Sequence, residues 1–177
     1  MRNTENTALA IPSSARASTR FPEDAPTDRP EAYVYPGQLL SAPAPLVATT
    51  ILGTCVSVCL FDPSSGIGGL NHFMLPHSPR SGPPSARFGD VATQQLVDAL
   101  LAHGAAPRRL QAKVFGGMEG RMGAEGLAKD LGARNIAVAV ESLRGLGIPV
   151  VAEDVGGPKS RKLVFHTSDG RAWVRHF

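Results

Sequence analysis

Two residue types in one short stretch carry the means for nucleophilic chemistry. Cys55 opens the run Cys55-Val56-Ser57-Val58-Cys59-Leu60-Phe61, and His72 lies in the following run, Ile67-Gly68-Gly69-Leu70-Asn71-His72-Phe73-Met74-Leu75. A thiol beside an imidazole is the minimum for thiol catalysis, because the imidazole takes the thiol proton and leaves a thiolate. The first run is short, β-branched and bounded by turn formers, which predicts a buried strand, and Ile67–Leu75 predicts a second. Asp62-Pro63-Ser64-Ser65 between them predicts a hairpin with a four-residue loop, with Phe61 facing Gly66 and Cys55 facing His72. Directly opposed residues have Cβ atoms about 4.5–5.5 Å apart, near enough for sulfur and imidazole to meet.

A free cysteine in an apolar strand commonly serves as a small core hydrophobe, and Cys59 reads that way. Cys55 differs. It follows Leu52-Gly53-Thr54, a glycine-containing turn that can expose a strand start and aim backbone N–H groups at an oxyanion. Thr49 and Thr50 lie just upstream, where a hydroxyl or carbonyl could orient the imidazole.

The elements that must position these groups follow from the pattern along the chain. Residues 1–29 are rich in Ser, Thr, Ala and Pro, with four Arg balanced by Glu5, Glu23, Asp24 and Asp28, and read as a disordered or loosely attached tail. The folded domain is expected over 30–177. Glu31–Tyr35 and Gln38–Ser41 predict strands around Pro36-Gly37, and Ala42-Pro43-Ala44-Pro45 breaks the chain before the central run. The Pro- and Gly-rich segment 77–85 predicts an irregular rim beside the site. Asp90 predicts the N-cap of a helix with an apolar stripe of Val91, Leu96, Val97, Leu100 and Leu101, stopped by Gly104.

Arg109–Phe115 predicts a strand ended by Gly116-Gly117, and Met118–Gly126 a Gly-rich loop. Gly132-Ala133-Arg134-Asn135 opens a second helix running through Ile136, Val140 and Leu143 to Gly145 or Gly147. Arg134 and Asn135 suit helix capping better than substrate binding. Pro149–Glu153, Lys162–His166 and Arg171–Arg175 complete a tally of seven or eight strands and two helices. Hairpins at both ends with helices between them imply an α/β domain with a mixed sheet under helical cover.

Composition narrows the function classes. With 177 residues and 42% hydrophobic content the chain can form one domain with a proper core. No apolar run approaches the roughly 18 residues of a membrane span, and no apolar segment follows Arg2 as in a signal peptide. Cys55 and Cys59 lie on one predicted strand about 13 Å apart, beyond the roughly 7 Å a disulfide spans, so both are expected as thiols in a reducing cytoplasm. His77 follows His72 by five residues, but no third ligand recurs at a metal spacing. Gly116-x-x-x-Gly120 lacks the Gly-Lys-Ser/Thr of a phosphate loop. Net charge is +3, with Lys159, Arg161, Lys162, Arg171 and Arg175 opposed only by Asp169 near the C-terminus. That cluster reads first as a solvated face, then as a site for an acidic protein, and carries no nucleic-acid pattern.

The motifs in order resemble the chemoreceptor glutamine deamidase family, CheD. The resemblance rests on Leu52-Gly53-Thr54-Cys55-Val56-Ser57-Val58-Cys59-Leu60-Phe61-Asp62 and on Gly68-Gly69-Leu70-Asn71-His72-Phe73-Met74-Leu75-Pro76. It continues in Arg87-Phe88-Gly89-Asp90, Lys113-Val114-Phe115-Gly116-Gly117, Gly132-Ala133-Arg134-Asn135 and Glu153-Asp154-Val155-Gly156-Gly157, covering about residues 31–175. Thr54 stands where that family usually has Ser, and Met118 where it usually has Ala. The resemblance implies a single-domain α/β/α layered sandwich with a mixed, largely antiparallel sheet. It also implies Cys55 as nucleophile, His72 as base and Thr49 in the third catalytic position, with Gly53, Thr54 and Asn71 at the substrate or oxyanion. The implied reaction deamidates glutamine side chains on methyl-accepting chemotaxis receptors in the cytoplasm. It implies neither cofactor nor metal, no nucleic acid and no membrane insertion, with a CheC-type phosphatase as a further partner; some members also hydrolyse receptor glutamyl methyl esters. The rival expectation is a non-catalytic adaptor that binds receptors or such a phosphatase, and that would tolerate loss of the thiol.

Overall fold

Runs of β-branched residues punctuated by Gly and Pro give nine strands among the described residues, and two stretches with helical periodicity give two helices. The computed structural model describes residues 29–120 and 130–177. The sequence tail, apart from Arg29, and most of the Met118–Gly126 segment lie outside the described residues.

The strands are β1 (Glu31–Tyr33), β2 (Leu39–Ala42), β3 (Val47–Leu52), β4 (Val56–Asp62), β5 (Ile67–Asn71), β6 (Gln111–Gly116), β7 (Val150–Val155), β8 (Arg161–His166) and β9 (Ala172–His176). Helix α1 (Gly89–Ala102) precedes β6 and α2 (Leu131–Gly145) follows it. They form a four-stranded sheet in the order β1-β3-β8-β9 and a five-stranded sheet in the order β2-β5-β4-β6-β7. Among the described residues only β1–β3 and β6–β7 form parallel ladders; the other ladders are antiparallel.

Strand alternation decides what each face buries. Val56, Val58 and Leu60 of β4 pack with Leu96, Leu100, Val138 and Leu143 of the two helices. Cys59 and Phe61, pointing the other way, pack with Leu52, Leu163 and Phe165 of the four-stranded sheet. The α/β class and the mixed, largely antiparallel pairing are as the sequence implies. The layer order is helix/sheet/sheet, however, and not α/β/α. Both helices cover one face of the five-stranded sheet, and the other face is closed by β-rich segments whose alternating apolar residues make a second sheet.

The segment Val47–Leu52, which carries Thr49 and Thr50 and for which the sequence reading gives no element, is a full strand in the second sheet. Two local expectations are corrected. Asp90 sits inside α1, with Phe88 at the N-cap position, and its carboxylate accepts hydrogen bonds from the Val91 and Ser78 backbone N–H groups. Arg161 is no solvated cation: it is 2% exposed and donates to the Asp154 carboxylate and to the Asp154 and Gly156 carbonyls. Gly104 follows α1 with a positive φ of 101°, as a helix stop requires.

Candidate active site

Cys55 lies where the chain crosses from one sheet to the other, after β3 ends at Leu52 and before β4 begins at Val56. The crossing is held through its carbonyls. The Met118 N–H donates to Gly53 O at 2.8 Å and the Gly117 N–H to Cys55 O at 2.7 Å. Between them, Asn135 Nδ2 donates to Thr54 O at 3.0 Å. Close backbone approach makes this possible. A Cβ on Gly116, whose φ is +109°, would stand 2.2 Å from Cys55 O, and one on Gly132 would stand 2.2 Å from Met118 O. Met118 does more than donate its N–H: Ser160 Oγ bonds its sulfur at 3.5 Å, and its methyl group borders Gly53.

The hairpin register differs from the sequence expectation by two residues. Asp62 pairs with Ile67 across a Pro63–Gly66 loop, and Cys59 pairs with Leu70. The same register continues to Val56 and Phe73, whose backbones exchange both hydrogen bonds at 3.1 and 3.0 Å. Asp62 sets the loop, since its carbonyl accepts from Gly66 N–H and its carboxylate from Ser64 and Ser65 N–H. A shift of two keeps every side chain on its face. His72 therefore still shares a face with Cys55, but diagonally, where neighbours are roughly 7–8 Å apart and their Cβ atoms somewhat closer, before side chains reach across.

His72 is 2% exposed and clamped at its backbone, its carbonyl accepting from Gly37 N–H at 2.7 Å and its N–H donating to Gln38 O at 2.9 Å. Its Nδ1 lies 2.8 Å from Thr50 Oγ1, and that hydroxyl donates its only proton to Val34 O at 2.7 Å. Thr50 must then accept, so Nδ1 carries the imidazole proton. In the neutral ring this leaves the lone pair on Nε2, which is buried without a hydrogen-bond partner. Burial lowers the imidazole pKa, against a smaller opposing effect of the Val34 carbonyl, and so favours the neutral base.

Cys55 is a half-buried free thiol. Burial pushes its pKa up, partly offset by its own backbone N–H, so the resting site holds a neutral thiol and a neutral imidazole. Cys59, fully buried, is pushed up to about 12, by burial above all. The Thr54 and Cys55 N–H groups make no hydrogen bond to another residue among the described residues. In a planar trans peptide the C=O and N–H point in opposite directions. The held Gly53 and Thr54 carbonyls therefore turn those two N–H groups outward, where a developing oxyanion can accept from them.

Two site expectations are corrected by strand alternation. Thr50, not Thr49, meets the imidazole: Ala48, Thr50 and Leu52 are buried, whereas Thr49 falls on the outward face with the exposed Ile51. Asn71 falls on the opposite side of β5 from His72, toward the helices, and its Oδ1 accepts from Val58 N–H at 2.8 Å. It has no access to an oxyanion. Asn135, read from sequence as a helix cap, instead reaches Thr54 O and Met74 O, both at 3.0 Å. No group of three or more His, Cys, Asp or Glu side chains placed to hold a metal occurs among the described residues. His77 pairs with Asp90 at 3.7 Å.

Residues 74–176 match the family model described as CheD chemotactic sensory transduction. A protein of Anaeromyxobacter dehalogenans named probable chemoreceptor glutamine deamidase CheD 1 is 48% identical over 148 residues, 83% of this chain and 85% of its own. A Rhodospirillum rubrum protein named probable chemoreceptor glutamine deamidase CheD is 41% identical over 147 residues, 82% of each chain. A crystal structure of a Neisseria meningitidis DUF152 protein overlays 84% of this chain and 75% of its own at 14% identity, with a TM-score of 0.40, too loose a likeness to bear on function. With the family model spanning more than half the sequence and relatives this close over most of their length, the chain belongs to the CheD family.

Proposed function

We propose that this protein is a thiol-dependent amidohydrolase that converts glutamine side chains of methyl-accepting chemotaxis receptors to glutamate. The observation that carries the reading is the His72 imidazole, held by Thr50 so that its Nε2 lone pair lies free on the face shared with the Cys55 thiol. The names of the relatives, which specify chemoreceptor glutamine deamidation, supply the substrate.

His72 Nε2 takes the thiol proton as Cys55 Sγ attacks the carboxamide carbon, so that proton transfer and attack are coupled and no standing thiolate is needed. The Thr54 and Cys55 N–H groups donate hydrogen bonds to the amide oxygen as negative charge develops on it. The imidazolium returns its proton to the amide nitrogen, ammonia leaves, and a thioester remains. His72 then removes a proton from water; the hydroxide adds to the thioester, the thiolate leaves and is reprotonated, and the glutamate carboxylate is released. The reaction runs in the cytoplasm. No helix of the described residues is long and apolar enough to cross a membrane. A CheC-type phosphatase is the further partner, on the strength of the sequence resemblance.

Incubating the protein with receptor cytoplasmic fragments and reading the Gln→Glu mass change by peptide mass spectrometry tests the proposal. Cys55→Ala should abolish the change while leaving the fold intact. Receptor binding with no mass change in the wild type would establish the adaptor instead.

A further inference from the structure

We infer that Asn135 is a positioning residue that aims the oxyanion-binding N–H of Cys55, an inference that rests on the deamidase reading of the site. Its side chain is buried at 0% exposure, and Nδ2 has two protons and two acceptors: Thr54 O and Met74 O, each at 3.0 Å. Those carbonyls belong to segments 81 and 61 residues away in sequence, the nucleophile crossing and the extended segment that follows His72.

Continuing the Val56–Phe73 register by one residue brings Met74 opposite Cys55. One amide therefore ties the peptide before the nucleophile to the residue that faces the nucleophile. The Thr54 carbonyl belongs to the same peptide plane as the Cys55 N–H. Fixing the first toward α2 fixes the second in the opposite direction, away from the helix, where a substrate oxyanion can accept from it.

The rest of the helix start is built to hold this amide in place. Gly132 lets the first turn of α2 close on Gly117 O and Met118 O, and Gly117 and Met118 hold the two flanking carbonyls of the crossing. Asn135 makes no cap bond to its own helix, so capping does not explain it. An aspartate in the same place would offer Thr54 O and Met74 O no proton. An alanine would leave Thr54 O without its donor and the Thr54–Cys55 peptide held only through its neighbours.

The test separates oxyanion binding from thiol exposure. Wild type, Asn135→Asp, Asn135→Ala and Asn135→Ser are compared at a temperature where the Trp173 near-ultraviolet signal sets the folded fraction, and all rates are taken per folded molecule. Two probes report on Cys55. A peptide carrying an aldehyde in place of the glutamine carboxamide forms a hemithioacetal whose oxygen needs the oxyanion donors, whereas iodoacetamide forms no oxyanion.

Aldehyde affinity and kcat should fall together by about tenfold to a hundredfold in Asn135→Asp and Asn135→Ala, with KM for receptor fragments and the iodoacetamide rate within about threefold of wild type. Asn135→Ser, which keeps a shorter polar group that cannot span both carbonyls, should fall in the same direction. Unchanged aldehyde affinity in the folded variants overturns the inference, and so does an equal fall with both probes, which would mark a structural role only. A wild type that binds no aldehyde yet is alkylated at Cys55 would refute the deamidase reading and the inference with it. Normal aldehyde binding in every variant, with deamidation intact, would refute the inference alone.

Discussion

The Thr50 hydroxyl stands 2.8 Å from His72 Nδ1 and gives its own proton to Val34 O, so one threonine fixes both the orientation and the tautomer of the buried imidazole. Val34 follows β1, Thr50 lies in β3 and His72 follows β5, so the base is oriented by strands from both sheets. Thr50→Val should leave Nδ1 without its acceptor and free the ring to turn. Turnover is expected to fall by about tenfold to a hundredfold. Thr49→Val, altering an outward-facing side chain on the same strand, should stay within about twofold of wild type. The same receptor-fragment assay on both variants decides it, and a larger loss at Thr49 would return the third catalytic position to that residue.

How much of this was legible in the sequence depends on the range of the interactions. The hairpin carrying Cys55 and His72 could be read from Asp62-Pro63-Ser64-Ser65-Gly66, and its two-residue register error was harmless because an even shift preserves the face. The residues alone leave Thr49 and Thr50 both open, and the family resemblance points to Thr49; the choice turns on Val47–Leu52 being a strand. Once it is one, Leu52 facing inward puts Thr50 inward too. Asn135 was beyond local reasoning. Its acceptors come from two distant segments, and a polar residue in the first turn of a helix looks like a cap until the tertiary structure is known. The second sheet is not legible in the sequence for a similar reason, since alternation shows that a face is buried but not what buries it.

The two thiols should behave as different kinds of group. Cys55, raised by burial and without a hydrogen bond from His72, should react with iodoacetamide at neutral pH more slowly than a free cysteine. His72→Ala should stop turnover while changing that alkylation rate little. A marked slowing would show a standing thiolate–imidazolium pair in the free enzyme. Cys59 should stay unmodified until the protein unfolds, and Cys59→Ala should cost about 1–2 kcal/mol of stability with turnover per folded molecule intact. Thiol counting by mass spectrometry with and without denaturant checks both.

Asp62, at the far end of β4 from Cys55, is a purely structural group. Its buried carboxylate accepts from Ala106 N–H at 3.0 Å, from Arg109 Nη2 at 2.9 Å and from Ser64 N–H at 2.9 Å. Burial works to raise its pKa, but Arg109 and the backbone donors together hold it well below the usual carboxylate range. Asp62→Ala should cost about 3 kcal/mol by stranding those donors. Arg109→Ala should cost less, because the backbone N–H groups still satisfy the carboxylate. Urea unfolding of both variants, with kcat measured on the folded enzyme, should show lost stability and unchanged catalysis. Lost catalysis at full folding would mean that the loop end of the hairpin reaches the site.

The pH dependence follows from two buried imidazoles. His166 is lowered to about 4 by burial, with Asp169 opposing and Arg29 and Arg171 reinforcing the shift. His72 is lowered too, again by burial first. Both titrate near 6.5 when unfolded, so on acidification below that point the unfolded chain binds protons that the folded chain refuses. The stability each contributes is complete above 6.5 and is lost as pH falls through the folded value; for His166 the span to about 4 amounts to about 3 kcal/mol. Catalysis needs His72 neutral, so the acid limb of kcat/KM should lie below the ordinary 6.5 of a histidine. The two effects separate by mutation. His166→Gln should remove the His166 share of the stability slope between about pH 7 and about pH 4.5, leaving the His72 share, without moving the acid limb. Urea midpoints and kcat/KM across that range test both, and an acid limb above 6.5 would mean that His72 is held as imidazolium and is not the resting base.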